Sequence, residues 1–461
     1  MLHYFKSESD ESTFAFWVNA FVASMLILVL STNFYSLFLG WELIGLTSFF
    51  LINFWKSRRA TLKSSFKAFT FNLVSDVFLL AAFVCFYKSS NTTDCDTFLY
   101  LAVWENLIDN NTVQCGLFFL TLCAGIKSVQ IGGHLWLPDS MEAPVPASSL
   151  IHSATLVSAG IYLICKFNIL YVLSGWVNAL ILIGSISAAY GGVVAAAQTD
   201  LKKLLAYSTM SHCGFLWVLA SSGDFFITIL YLFLHGIFKA SSFYCAGSFI
   251  RMYGTQDSRW MGNSHIYSRL DTGLLLICGA NLAGLPFTIG YFFKWFFFKL
   301  LLLKVFNWFS VGLLFVGMLS SLLYYFRLVF YVTFDFYKNI KSLPQFTLSA
   351  VAKSFTDALS LTSINHILSV LILFFFSIIT VLFFSWFYSN SPILFEGCNL
   401  SGWELLLLNL GVIYNTYYVI FYYIYFLLIL LLLFVTYRKN IFSIEQLFIT
   451  FYFFCAIFLF F

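Results

Sequence analysis

Ala124-Gly125-Ile126-Lys127-Ser128-Val129-Gln130-Ile131-Gly132-Gly133-His134-Leu135-Trp136-Leu137-Pro138-Asp139 is the stretch that decides how this chain folds. It closes an apolar run from about Cys115 to Leu135, and a lysine stands in the middle of that run. A lysine at the centre of a membrane-spanning helix costs roughly 2.5–3.5 kcal/mol on insertion scales, so one kept there faces a polar interior and handles ions. The run ends in a polar, Pro-broken segment, and the chain carries several further ionisable residues in apolar surroundings.

The surrounding composition agrees. The chain has 461 residues, 61% hydrophobic and 10% charged, with 59 Phe, which excludes a soluble globular protein. It reads as an all-α polytopic membrane protein. A bilayer core of about 30 Å needs about 20 apolar residues per helical span, and such runs follow one another almost end to end. The runs are continuous rather than alternating, which excludes a β-barrel. A net charge of +4, spread over loops, suggests no nucleic-acid surface. The first residues lack the basic flank and small-residue cleavage site of a signal peptide and the Arg/Ser bias of a transit peptide. Ten cysteines include no CxxC or CxxCH, which argues against iron–sulfur, haem and zinc sites. Cys95 and Cys115 flank one polar loop and can pair if it faces an oxidising space.

About thirteen spans are expected, over 12–33, 34–55, 65–88, 115–135, 147–168, 170–197, 200–221, 224–251, 269–304, 305–336, 366–389, 402–436 and 441–460. The ninth breaks at Gly284-Leu285-Pro286, as the fourth breaks at Leu137-Pro138. Two Pro-interrupted segments in corresponding positions mark an inverted repeat of two five-helix units. The chain then divides into a polar tail over 1–11, repeats over 12–168 and 170–336, and a C-terminal extension over 337–461 with two to three helices. The 402–436 run gives about 52 Å of helix, so it tilts, bends or lies along the membrane. Loops after even-numbered spans hold Lys56, Arg58, Arg59, Lys63, Lys67, Lys202, Lys203, Arg251, Arg259 and Arg269, whereas those after odd-numbered spans hold Asp94, Asp96, Glu105, Asp109 and Asp224. That alternation places the N-terminus on the inner side.

Glu42 lies in the otherwise uncharged span Phe38-Leu39-Gly40-Trp41-Glu42-Leu43-Ile44-Gly45, and Lys127 is its natural partner. Such a pair either holds and releases a proton as its members move, or merely fixes helix packing. His235 and Lys239 are four residues apart and share one helical face. His152 follows Pro144-Val145-Pro146, and Lys294 stands eight residues after Pro286. A histidine beside a buried lysine can pass a proton near neutral pH, although a lone histidine is as readily a packing residue. Lys294 either faces a cavity opened by the helix break or snorkels to the interface. Asp76 is a candidate supporting carboxylate, and Ser128, Gln130, Thr155, Ser158, Ser208, Thr209 and Ser211 can hold water or serve as helix-packing glue. The aromatic richness reads chiefly as lipid-facing bulk.

Gly40-Trp41-Glu42-Leu43-Ile44-Gly45, Lys67-Ala68-Phe69, the run from His134 to Pro146, Leu150-Ile151-His152-Ser153-Ala154-Thr155, the run from Asp200 to Thr209 and Phe238-Lys239-Ala240 together resemble the subunit 5 family of mitochondrial NADH dehydrogenase, respiratory complex I. The resemblance spans most of residues 30–300. It implies an antiporter-like fold that translocates protons, driven by ubiquinone reduction elsewhere in the complex. By family role, Glu42 and Lys127 are the coupled pair, His152, His235 and Lys239 the central relay, and Lys294 the exit-side lysine. It implies no cofactor bound by this chain, with NADH, FMN, iron–sulfur clusters and ubiquinone in other subunits. The implied partners are other membrane-arm subunits, above all a subunit 4-like neighbour, together with lipids and a separate chain supplying about three further N-terminal helices. The implied location is the mitochondrial inner membrane.

Several residues depart from the family pattern. Leu73 replaces an arginine near Asp76, which weakens a role for that carboxylate; Tyr231 replaces a relay histidine, leaving that step to water or the phenol; and Trp295 follows Lys294 where an acid is frequent. Two other functions compete with the proton pump: an Mrp-type cation/proton antiporter subunit, and a structural membrane subunit with an inactive channel.

Overall fold

The computed structural model describes residues 10–334, apart from 106, 154, 224, 265–267, 286, 287, 289, 292 and 295–307. The expected spans over 366–389, 402–436 and 441–460, and the 337–461 extension, lie outside the described residues, as does Pro286. The described chain is helical throughout, with two isolated β-bridges between loops. Its helices are α1 (Glu11–Leu30), α2 (Phe34–Ile52), α3 (Arg59–Ser90), α4 (Cys95–Trp104), α5 (Asn111–Lys127), α6 (Val145–Ser153), α7 (Leu156–Lys166), α8 (Asn168–Leu173), α9 (Val177–Ala197), α10 (Leu201–Ser221), α11 (Phe225–Tyr253), α12 (Arg269–Ala283) and α13 (Trp308–Val329). Among the described residues, seven segments are long and apolar enough to cross a membrane: Glu11–Leu30, Phe34–Ile52, Arg59–Ser90, Val145–Lys166, Val177–Ala197, Ile227–Tyr253 and Trp308–Thr333.

The other expected spans fail that test for two physical reasons. Helices α5 and α12 are cut short by backbone breaks. Helix α10 is long enough, at 21 residues, but too polar, and it is buried along almost its whole length. It packs on α7, α9, α11 and α13 and forms the axis of the bundle. Small residues let α9 approach it: a Cβ on Gly214 would lie 2.6 Å from both Ala188 N and Gly184 O. Close backbone approach of this kind is how helices associate where lipid removes the hydrophobic drive.

The loops gather at two ends. At one, Asn33 bridges Asp94, Lys166 Nζ donates to Ser31 O at 2.6 Å, and Asn168 Nδ2 donates to Ala220 O at 2.6 Å. At the other, Asp200 bridges Asp257, and Arg327 donates to Ala196 O. The second end carries Lys203, Arg259 and Arg327, and there the Arg259 guanidinium, 2.8 Å away, holds the Asp257 carboxyl below its ordinary value. The first carries Asp94 and Asp96 together with Lys166 and, in the last turn of α3, Lys88.

Three expectations are corrected. Lys63 and Lys67 belong to α3, which begins at Arg59 rather than near residue 65, and the 91–114 loop contains α4. Cys95 and Cys115 are free thiols, one buried and one exposed, so the pairing is not formed. The aromatics are not only lipid-facing: Phe34, Phe83, Phe86, Phe98 and Phe167 stack as a buried cluster, with ring centroids 4.6 Å apart for Phe34 and Phe83 and 4.7 Å for Phe86 and Phe98.

Candidate functional site

The helix carrying Lys127 ends at Lys127, ten or so residues before Pro138. Val129 takes φ 61, which a β-branched residue rarely adopts, and Gly132 takes φ 95. The chain leaves the α-helix from there to Pro144, with one 3-10 turn over Asp139–Glu142. The polar groups freed by the break are met inside the protein. Ser128 Oγ donates to Ala124 O at 2.6 Å, Trp136 Nε1 to Ile126 O at 3.0 Å, Gln130 N to Gly125 O at 2.8 Å, and Ser187 Oγ to Gln130 Oε1. Non-helical backbone at membrane depth is tolerated only where it is buried in this way.

Lys127 therefore sits on the last turn of a helix, where the carbonyl end of the dipole favours a cation. Its side chain is fully buried. Nζ donates to Trp41 O at 2.7 Å, lies 4.5 Å from the Trp41 ring centroid, and stands 4.0 Å from Asp76 Oδ1. Trp41 is itself held by Ser75, at 3.1 Å from Nε1. The carboxylate in ion-pair range of Lys127 is Asp76, not Glu42. Both Asp76 and Trp41 turn inward, whereas Glu42, one residue along α2, is exposed on the outer face.

Lys294 repeats the arrangement at the second break. Helix α12 stops at Ala283, with Gly284 at φ 73, and Lys294 Nζ donates to the freed carbonyls of Leu282 (2.9 Å) and Ala283 (2.8 Å) and to Ser321 Oγ (2.7 Å). Its residue exposure is 7%, so it points into the protein rather than snorkelling. Lys202, expected in a basic loop, is a third such lysine: it is buried and donates to Ala143 O at 3.1 Å and Met141 O at 3.3 Å, both in the unwound segment. Outside this interior, Lys67 pairs with Asp139 at 2.5 Å and pins the same segment to α3.

Lys239 and the histidines lie between the two breaks, around α10. Lys239 Nζ donates to Ser208 Oγ and to Leu205 O, the latter at 3.2 Å. It lies within electrostatic reach of His152, His212 and His235. His152, at the end of α6, contacts Ser140 Oγ through Nε2 at 3.1 Å and lies between Trp136 and Phe243. His235 places its ring centroid 5.2 Å from that of His212. His212 was not singled out by the sequence, yet it is buried, with Nδ1 2.7 Å from the Tyr231 hydroxyl.

The structure thus brings Lys127, His152, His235, Lys239 and Lys294 into one buried interior, with Glu42 exposed on α2, out of ion-pair range but within electrostatic reach of Lys127 and Asp76. Asp76, Lys202 and His212 join them. A signal for Lys202 existed, since it begins a helix that has to enter the bundle; nothing in the sequence alone separated it from Lys203. Among the described residues no group of three or more His, Cys, Asp or Glu is arranged to hold a metal ion. Chemically the arrangement offers, in Lys239 and Lys294, ammonium groups held by neutral oxygens, which can give up a proton without stranding a counter-ion, next to imidazoles able to accept one.

The family model described as NADH:quinone oxidoreductase/Mrp antiporter, TM, matches residues 31–324. NADH-ubiquinone oxidoreductase chain 5 of Paramecium tetraurelia is 43% identical over 360 residues, 76% of this chain and 63% of that protein. NADH-quinone oxidoreductase subunit L of Neisseria meningitidis is 36% identical over 291 residues, 60% of this chain and 43% of that protein. The chain spans less than two thirds of the length of these relatives. Among solved structures, a chain of the Mrp complex from Dietzia sp. superposes with a TM-score of 0.63 at 28% identity, covering 74% of this chain and 38% of that one. A chain of an archaeal membrane-bound sulfane sulfur reductase gives a TM-score of 0.66 at 19% identity, covering 82% of this chain and 77% of that one, a likeness of fold.

Proposed function

Because the chain belongs to the NADH:quinone oxidoreductase/Mrp antiporter family of membrane proteins, we propose that it is a proton-translocating membrane-arm subunit of respiratory complex I, the H+-translocating NADH:ubiquinone reductase of the mitochondrial inner membrane. The chain contributes no redox chemistry. NADH, FMN, iron–sulfur clusters and ubiquinone belong to other subunits, and energy from quinone reduction reaches this one through its membrane-arm neighbours, a subunit 4-like chain among them. The two antiporter-like repeats are 12–168 and 170–336, one around each helix break.

Lys127, opposite Asp76, holds a proton in the first repeat; His152, His235 and Lys239 pass it along the axis; Lys294 holds it before release. Glu42 faces outward from α2 and is suited to sense charge on a neighbouring subunit. The observation that carries this reading is that Lys127, Lys239 and Lys294 are all buried, and that Lys239 and Lys294 bond only to neutral oxygens in the hydrogen bonds described. A buried ammonium without a bonded carboxylate is costly unless its proton is meant to leave.

The test is Lys127→Met in the assembled complex, sealed in vesicles, with protons moved counted against NADH oxidised. A fall in that ratio with assembly intact is the expected result; an unchanged ratio supports a structural subunit with an inactive channel. The likeness to a chain of an Mrp complex favours one alternative, a cation/proton antiporter subunit. Sodium-dependent proton movement in the absence of electron transfer would identify it.

A further inference from the structure

We propose, resting on the proton-carrying reading above, that His212 is the link by which a proton passes from Lys239 to Lys294, with the phenols of Tyr324 and Tyr231 on either side of its ring. His212 is 1% exposed and has a phenol at each nitrogen: Tyr231 Oη at 2.7 Å from Nδ1 and Tyr324 Oη at 3.3 Å from Nε2. The Tyr324 phenol also lies against the hydroxyls of Ser208 and Ser211, and Ser208 Oγ accepts a hydrogen bond from Lys239 Nζ. On the other side, Tyr231 and Lys294 line one cavity of about 10 Å³, together with Phe215, Leu219 and Phe293. That is room for about one water, but the accessible lining is apolar and the Lys294 ammonium is held by Leu282, Ala283 and Ser321, so the phenol and the ammonium have to turn into the cavity for a water to bridge them. The groups form one series: Lys239, Ser208, Tyr324, His212, Tyr231, a bridging water, Lys294.

His235 stands beside this series rather than in it. Its Nε2 has no hydrogen-bond partner among the described residues, and it shares a second cavity of about 10 Å³ with His212, Tyr231 and Asn281. The i, i+4 spacing of His235 and Lys239 puts both on one face of α11, but the hydrogen bond of Lys239 leads toward α10 and α13 instead.

The step balances as one proton moved. Ser208 receives a proton from the Lys239 ammonium and gives its own to Tyr324. Tyr324 gives its proton to Nε2 of His212, whose Nδ1–H goes to Tyr231. Tyr231 gives its proton to the water, which protonates the Lys294 amine. Lys239 ends as a neutral amine, Lys294 as an ammonium, and every group between has regained a proton. A turn of the imidazole presents a bare nitrogen to Tyr324 again. A side chain with two ring nitrogens, one accepting and one donating, is what such a relay requires.

The experiment compares His212→Gln, His235→Gln and Lys239→Met in the assembled complex in sealed vesicles, reading protons moved per NADH oxidised. His212→Gln is expected to lower the ratio as far as Lys239→Met does, the double variant no further than either, and His235→Gln less. A normal ratio in His212→Gln beside a lowered one in Lys239→Met overturns the His212 route and leaves the proton-carrying reading standing. Normal ratios in both overturn the two together. If His212→Gln does not assemble, Tyr231→Phe and Tyr324→Phe, each one oxygen smaller, carry the test: a lowered ratio supports the route and normal ratios in both overturn it.

Discussion

Lys127 and Asp76 face each other across 4.0 Å in the buried interior, on α5 and α3. The separation exceeds that of a direct hydrogen bond, and Asp76 Oδ1 has no hydrogen-bond partner among the described residues. The pair is therefore near enough for each charge to feel the other and loose enough to separate.

Asp76→Asn removes the charge while keeping the shape. Lys127 then keeps the Trp41 carbonyl and ring without the nearby carboxylate charge, and coupled NADH oxidation should fall by on the order of a hundredfold, the lower end of what a positioned proton-transfer group contributes. Asp76→Glu should recover part of it. Wild-type coupled turnover in Asp76→Asn, measured in sealed vesicles, would show that the pair only fixes helix packing.

Gly284→Ala should act on Lys294 through the backbone. Gly284 adopts φ 73, and a Cβ there would lie 2.8 Å from Lys294 Cδ. Left-handed backbone costs a non-glycine residue about 1–2 kcal/mol, and the lysine would have to move off the carbonyls of Leu282 and Ala283. A loss of proton translocation with a small loss of thermal stability is expected. A variant equal to wild type in both would place the Lys294 contacts outside the pathway.

Gly214→Val tests packing apart from proton chemistry. The new side chain would drive α10 from α9 at Ala188 and Gly184. Overpacking of this kind costs about 1–3 kcal/mol. The amount of assembled complex on native gels should fall, whereas complexes that do assemble should keep their proton ratio. Normal assembly would mean that the two helices have slack the structure does not show.

Residue types and their spacing revealed the class and the key lysines, because a charge in an apolar run is conspicuous wherever it falls. They did not reveal which carboxylate meets Lys127, because that depends on helix rotation: Trp41 and Glu42 are neighbours in sequence, yet one is buried and the other faces outward. The first break was expected at Pro138, the strong local signal. The backbone leaves the helix at Lys127 instead, through a left-handed Val129 that no residue preference announces, although Gly132-Gly133 offered a hint. Lys202 beside Lys203 reads as a surface pair, but one belongs to the buried face of α10 and the other pairs with Asp200 at 3.3 Å. His212 follows three hydroxyl residues in a helix too polar to pass as a membrane span. That same polarity is what marks α10 as the axis of the proposed proton path.

The most direct test of the whole account is the ratio of protons translocated to NADH oxidised in the assembled complex carrying Lys239→Met, because Lys239 stands between the two halves of the proposed path. The account predicts a lowered ratio, or coupled turnover that stops, with assembly and bound lipid unchanged. A ratio equal to wild type at normal turnover would contradict it.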